Sequence, residues 1–356
     1  MPPQNLFFEQ PILNSPYECP AQHWELDSDG QPTQKILPFR RMADFITPIP
    51  KPKRRGAKQG SLLEDAQAVG ISTPEQEYHK ALINEVRHHV AEWRKLPSAQ
   101  WRVTPETARL LTHWRHHAFS SIRPFFCQVE AVETAIWLTE VAPGQAKFKK
   151  YLEHLEAANA DANPGLMRLA LKLATGAGKT TVMAMLMAWQ TLNAVRNPLK
   201  KSFTKGFLIV APGITIKDRL RVLKPNDPDA YYARRELIPQ DMLQDMQQAR
   251  VVITNFHAFR LREKTDVSKG TRLAIEGWRG ETLLTQETEG EMLSRVMPEL
   301  MGLKRIVVFN DEAHHCYRER PGAREDLEAE LSALDTIDRK DARVEAAVSY
   351  THLRAH

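Results

Sequence analysis

The chain has 356 residues, of which 42% are apolar and 26% charged, and a formal net charge of +5. It is long enough to bury the core of a soluble globular protein, with room for two folded units. No run approaches the roughly 18 consecutive apolar residues of a membrane span, and MPPQNLFFEQ lacks the basic-then-apolar pattern of a leader, so a cytoplasmic protein is expected. Cys19, Cys127 and Cys316 lie far apart, without the paired spacing of a zinc site or a disulfide framework.

Residues 1–60 read as a proline-rich arm poor in helical or strand periodicity, closing on the basic run Lys51-Pro-Lys-Arg-Arg-Gly-Ala-Lys58. That run is either a phosphate-contacting strap or a solvated linker. Over 61–160 the pattern is helical. Ser72-Thr-Pro-Glu75 has the form of a capped start, and Leu82, Val86, Val90 and Trp93 recur at spacings of three and four. His113, His116 and His117 share one helical stretch, which suits partly exposed helical histidines better than a metal site, because no distant ligand completes the set.

After Asn163-Pro-Gly165 short apolar runs alternate with helical stretches: 166–173, 206–211, 250–254 and 305–310. Such runs predict strands buried on both faces of a parallel sheet, hence an α/β, doubly wound fold. Leu169-Ala-Leu-Lys-Leu173 runs into Ala174-Thr-Gly-Ala-Gly-Lys-Thr180 and then a helix-forming stretch from Thr181, the strand, loop and helix order of a phosphate-binding loop. Gly176 and Gly178 let backbone N–H groups approach phosphates, Lys179 reaches the β and γ phosphates of ATP, and the Thr180 hydroxyl is a magnesium ligand. Thr175, Ala177 and Thr181 complete the expected cradle. Leu173 stands where the strict pattern has a further glycine. Downstream, Ile306-Val-Val-Phe-Asn310 delivers Asp311-Glu-Ala-His314. Two acids after a buried strand are costly unless they bind something, so Asp311 is expected to hold magnesium and Glu312 to activate the attacking water.

Together these two motifs resemble those of superfamily 2 helicases and translocases of the DEAD/DEAH type. The wording of Ala211-Pro-Gly-Ile-Thr-Ile-Lys-Asp218, Ile253-Thr-Asn-Phe-His257 and Phe309-Asn-Asp-Glu-Ala-His-His-Cys-Tyr317 looks most like the helicase (Res) subunit of type III restriction enzymes. The resemblance implies a RecA-like P-loop NTPase domain over 120–347, preceded by the helical accessory region. Gln128, in Arg123-Pro-Phe-Phe-Cys-Gln128, would read the adenine edge. Pro212, Gly213, Thr215, Thr254 and Asn255 would touch the phosphate backbone of DNA, and His314 would couple nucleotide state to the strand. It implies ATP and Mg2+ as cofactors, a modification methyltransferase subunit as a partner, and an ATP hydrolase within a restriction endonuclease. A stand-alone helicase for repair or RNA is the alternative, and a non-enzymatic binding module fits poorly with Lys179, Thr180, Asp311 and Glu312 all intact.

Such motors use a second RecA-like domain whose arginine finger completes the ATP site. Nothing after Tyr317 offers one, nor a nuclease centre: residues 318–347 are charged and helix-prone, and 348–356 resemble a translated sequencing adapter. The sequence therefore reads as an N-terminal portion whose isolated hydrolysis is expected to be near background.

Overall fold

The computed structural model describes residues 6–27, 30–43, 74–162, 167–211, 214–262 and 286–311. The chain divides into two compact units. The first comprises Met1–Met42 and Glu85–Asp311; the second, Ala43–Asn84 and Glu312–His356, is described only at Ala43 and 74–84. The basic run 51–58, the stretch 318–347 and the tail 348–356 lie outside the described residues.

The first unit contains a feature the arm reading does not anticipate. Antiparallel strands β1 (His23–Leu26) and β2 (Pro32–Leu37) form a hairpin within the stretch expected to lack regular structure. Trp24 is buried there, edge-on to Phe7 at 5.7 Å. Two short strands give too little periodic signal to register against the flanking prolines and polar residues.

The helices follow in chain order: α1 (Pro74–Lys95), α2 (Pro105–His116), α3 (Phe126–Ile136), α4 (Lys149–Ala162) and α5 (Lys179–Arg196). Val90 and Trp93 of α1 are buried as their spacing predicts. Helix α2 starts at Pro105 behind Thr104, whose hydroxyl accepts the Thr107 N–H at 3.2 Å, so a proline that cannot donate sits where no donor is needed. Helix α5 is rich in Met, Ala and Leu, strong helix formers, and is apolar nearly all round; Ala184, Met185, Met187, Ala188 and Leu192 are fully buried. Helices α2 and α3 pack directly on it. Glu140, just past α3, ties the three together by accepting from Thr104 N (3.0 Å), Thr107 Oγ1 (2.7 Å) and Trp189 Nε1 (2.7 Å).

The sheet is parallel, in the order β4 (Arg250–Asn255), β3 (Gly206–Ala211), β5 (Val307–Asn310). Central β3 is buried on both faces, as expected. Two expectations fail. Strand β5 is not buried on both faces: among the described strands it lies at the edge, with Val308 50% exposed. Residues 167–174 form no strand, and Met167 and Leu169 are exposed. At the head of the run Asn159 of α4 accepts the Arg168 N–H at 2.8 Å and donates to the Arg168 carbonyl at 3.1 Å, so both backbone groups of that residue are turned to α4 and not to a strand. No described strand pairs with the segment.

Candidate nucleotide-binding site

The loop ahead of α5 is built by backbone conformation. Gly176 and Gly178 have φ of 80° and 77°, the left-handed region that glycine enters at little cost. Gly178 is the N-cap of α5, and the turn closes through Ala177 N–H to Ala174 O at 3.1 Å and Thr181 N–H to Gly178 O at 2.9 Å. Thr175 and Gly176 are exposed, Lys179 and Thr180 half-buried, and Thr181 buried. A Cβ at Gly176 would meet nothing within 4 Å, so the loop opens outward and leaves space for a phosphate chain facing the helix N-terminus. A Cβ at Gly178 would instead run into the Gln128 amide.

Gln128 is buried and bridges two elements. Its Oε1 accepts the Phe125 N–H at 2.9 Å, capping α3, while its Nε2 donates to the Ala177 carbonyl at 2.8 Å. One lone pair and one hydrogen of the amide remain beyond these bonds. The residue named for adenine reading is thus already a strut between α3 and the loop.

The start of α3 is held from further away. Phe126 N–H donates to Pro16 O at 2.8 Å, and the Tyr17 and Phe125 rings lie 5.7 Å apart. Arg40 forms a two-pronged pair with Glu130, at 2.8 and 2.5 Å. Glu133, fully buried, takes Arg94 Nε at 2.6 Å on one oxygen and Arg115 Nε at 2.7 Å on the other. The guanidinium of Arg115 lies 4.4 Å from the Trp101 ring centroid, and that of Arg94 lies 4.9 Å from Phe126. Burial pushes the Glu130 carboxyl up, but its bond to Arg40 and the charges of Arg40, Arg94 and Arg87 outweigh this and hold it below the usual carboxylate range.

Arg235 is a further neighbour that the sequence does not announce. Its Nη1 donates to Thr181 Oγ1 at 3.0 Å and its guanidinium stacks 3.7 Å from the Tyr231 ring centroid. Tyr231 and Thr180 line an open cavity of about 630 Å³ together with Asp218, Arg219, Arg221 and Val222. No periodicity or motif marks Arg235; its role follows only from the packing of the short helix Tyr231–Arg234 on α5.

The carboxyl ends of the strands collect a second group. Asp311 follows β5 and its N–H donates to Val210 O on β3 at 3.0 Å. Thr254 and Asn255 end β4; Thr254 is 8% exposed, and Asn255 Oδ1 caps the turn 256–259 by accepting Ala258 N–H at 2.9 Å. Thr215 lies in the short helix Ile214–Arg219. Pro212, Gly213, Glu312 and His314 lie outside the described residues.

The histidines behave as ordinary packing residues. His113 Nε2 donates to Glu236 O at 2.6 Å, His117 stacks on His113 at 4.3 Å and pairs with Glu236 at 3.0 Å, and His116 is exposed. Among the described residues no group of His, Cys, Asp or Glu is arranged to hold a metal, and no helix is long and apolar enough to cross a membrane.

A parallel sheet with helices and a helix-capping glycine loop fit an α/β, RecA-like domain of the helicase-like kind, and such domains normally use ATP with a divalent metal. The family model described as "Type III restriction enzyme, res subunit" matches residues 122–337, more than half of the length, and the chain belongs to that family. No curated protein and no solved structure matches it.

Proposed function

We propose that this chain is the ATP-driven motor of a type III-like restriction endonuclease, coupling ATP hydrolysis to movement along duplex DNA in the cytoplasm, with a modification methyltransferase subunit as partner. The observation that carries this reading is the loop itself: two left-handed glycines at the head of a buried helix, of which Gly176 faces free space and Gly178 packs on Gln128, in a chain of the type III Res family. Backbone N–H groups of Thr175, Gly176, Gly178, Lys179 and Thr180 cradle the phosphates, Ala177 and Thr181 shape the loop through their turn bonds, and the Lys179 ammonium neutralises the β and γ oxygens. Thr180 and Asp311 would hold magnesium, which when bound withdraws charge from those oxygens. Glu312 orients the attacking water and takes its proton. Gln128 keeps its bond to the loop and offers its remaining donor and acceptor to adenine. Pro212, Gly213, Thr215, Thr254 and Asn255 track the phosphodiester backbone, Thr254 through its main chain, and His314 transmits nucleotide state to them.

The test is equilibrium binding of a fluorescent ATP analogue. Lys179→Ala is expected to weaken it more than tenfold, whereas Glu312→Gln is expected to retain it, because the base is lost while the phosphate cradle stays. Wild-type affinity in Lys179→Ala overturns the reading.

A further inference from the structure

The sheet has a second end, opposite the one that carries Thr254, Asn255 and Asp311. Three segments distant in sequence arrive there together: the turn 197–205 ahead of β3, Arg250 at the start of β4, and Lys304-Arg305 ahead of β5. Gly206 pairs with Arg250 and Phe207 with Val307. Lys205, Arg250 and Arg305 therefore stand on neighbouring chains separated by about 4.8 Å per step.

The segments are bonded to one another. Arg250 N–H donates to Lys205 O at 2.7 Å, Thr204 Oγ1 donates to Arg305 O at 2.7 Å, and Arg305 Nη1 donates to Lys201 O at 2.5 Å. Lys200, Lys201, Arg250, Lys304 and Arg305 are exposed and Lys205 is half-buried.

None of these cations forms an ion pair among the described residues. Lys205 reaches only the Gln248 amide at 3.3 Å, and Arg250 only the Glu299 carbonyl at 3.3 Å. Elsewhere on the same unit arginines are matched: Arg196 with Asp245, Arg109 with Asp241, Arg221 with Asp229. Holding like charges together on a bonded rim costs Coulomb energy that a polyanion relieves.

We propose that this rim binds the phosphodiester backbone of duplex DNA as a contact separate from the carboxyl ends of the strands. Its chemistry favours nucleic acid over an acidic protein. Protein interfaces centre on aromatic side chains and are depleted in lysine, whereas here the large apolar side chains standing out are aliphatic, Leu199 at 94% and Met301 at 47% exposed, and Phe203 is packed on Trp189. Lysine is a point-charge phosphate ligand, and contacts to phosphate carry no sequence information. The proposal rests on the motor reading only in taking DNA as the polyanion.

The experiment is titration of a labelled duplex at two salt concentrations with Lys200→Glu/Lys201→Glu/Lys304→Glu. A control of equal charge change, Lys147→Glu/Lys149→Glu/Lys150→Glu, lies at the start of α4, and melting of each variant reports its fold. Affinity at the lower salt is expected to fall more than tenfold in the rim variant. The slope of log affinity against log salt is expected to become shallower by about 2–3, since each lost phosphate contact removes about 0.9. Two unrelated duplex sequences should show the same loss, and Lys→Arg at the three positions should keep the wild-type slope. An unchanged slope in the rim variant, an equal loss in the control, or no duplex binding by the wild-type chain overturns the proposal. Lys179→Ala read against the ATP analogue in parallel separates the two ideas: wild-type nucleotide affinity there fells the motor reading and leaves the rim result standing.

Discussion

The glycine loop and the start of helix α3 sit on either side of Gln128, yet they are held by opposite means. The loop is shaped by its own backbone: two left-handed glycines, a tight turn and a helix N-terminus, all within a few residues. The start of α3 is held by charge pairs reaching to Arg40, Arg94 and Arg115, 90, 39 and 18 positions from their carboxylate partners. Local geometry serves a surface that must open to a ligand, whereas buried ion pairs suit a support that must not move. A buried pair adds little net stability when complete but is costly to break, which makes it a device for fixing position.

The comparison breaks most visibly at Glu133. Glu133→Ala strands the guanidinium of Arg115, the more deeply buried, leaves Arg94 with Glu130 at 3.6 Å, and is expected to cost about 3–5 kcal/mol. Urea denaturation measures it; a loss as small as that of an exposed pair would show that water reaches the network and that α3 is held otherwise.

At the loop, Gly178→Ala puts a side chain at φ 77° and against the Gln128 amide. A cost of about 2 kcal/mol is expected from the backbone conformation and overlap together, with weakened binding of the ATP analogue. Adding Gln128→Ala should remove the overlap and leave the conformational part, so the stability cost of the double variant is expected to be smaller than the sum of the two single costs. Full additivity in such a cycle would show that Gln128 and the loop are independent.

Glu130→Gln sharpens the contrast by pH. The Glu130 carboxyl titrates lower in the folded protein than its ordinary value of 4.5. Its ionised form therefore stabilises the fold at pH above that value, and the contribution is lost as pH falls through the lowered folded value. The variant is expected to be less stable than wild type by about 1.5–3 kcal/mol near neutral pH, with the gap closing in strong acid. Denaturation at both pH values checks it, and a pH-independent gap would mean that the Arg40 pair is not its source.

How much of this was legible follows the same division. Gly206–Ala211 and Arg250–Thr254 were readable as strands because continuous β-branched and apolar runs encode burial on both faces. The glycine loop and the helix after it were readable because loop and cap chemistry are local. Residues 167–174 carried the same apolar signal but form no strand: at the head of the run Asn159 takes the Arg168 backbone groups, and no described strand pairs there. The hairpin 23–37 was missed because strands of four and six residues give almost no periodicity.

By itself, then, the sequence determined the α/β class, the glycine loop ahead of α5 and the acid at the end of β5, because each depends on backbone preferences and residue chemistry within one short window. Only the tertiary structure decided that Gln128 would brace the loop, that Arg235 would meet Thr181, that Arg40, Arg94 and Arg115 would enclose two carboxylates, and that lysines from separate segments would share one rim. Those outcomes depend on which distant residues the packing of α2, α3 and α5 and the parallel strand register bring within a few ångströms, and no local window carries that information.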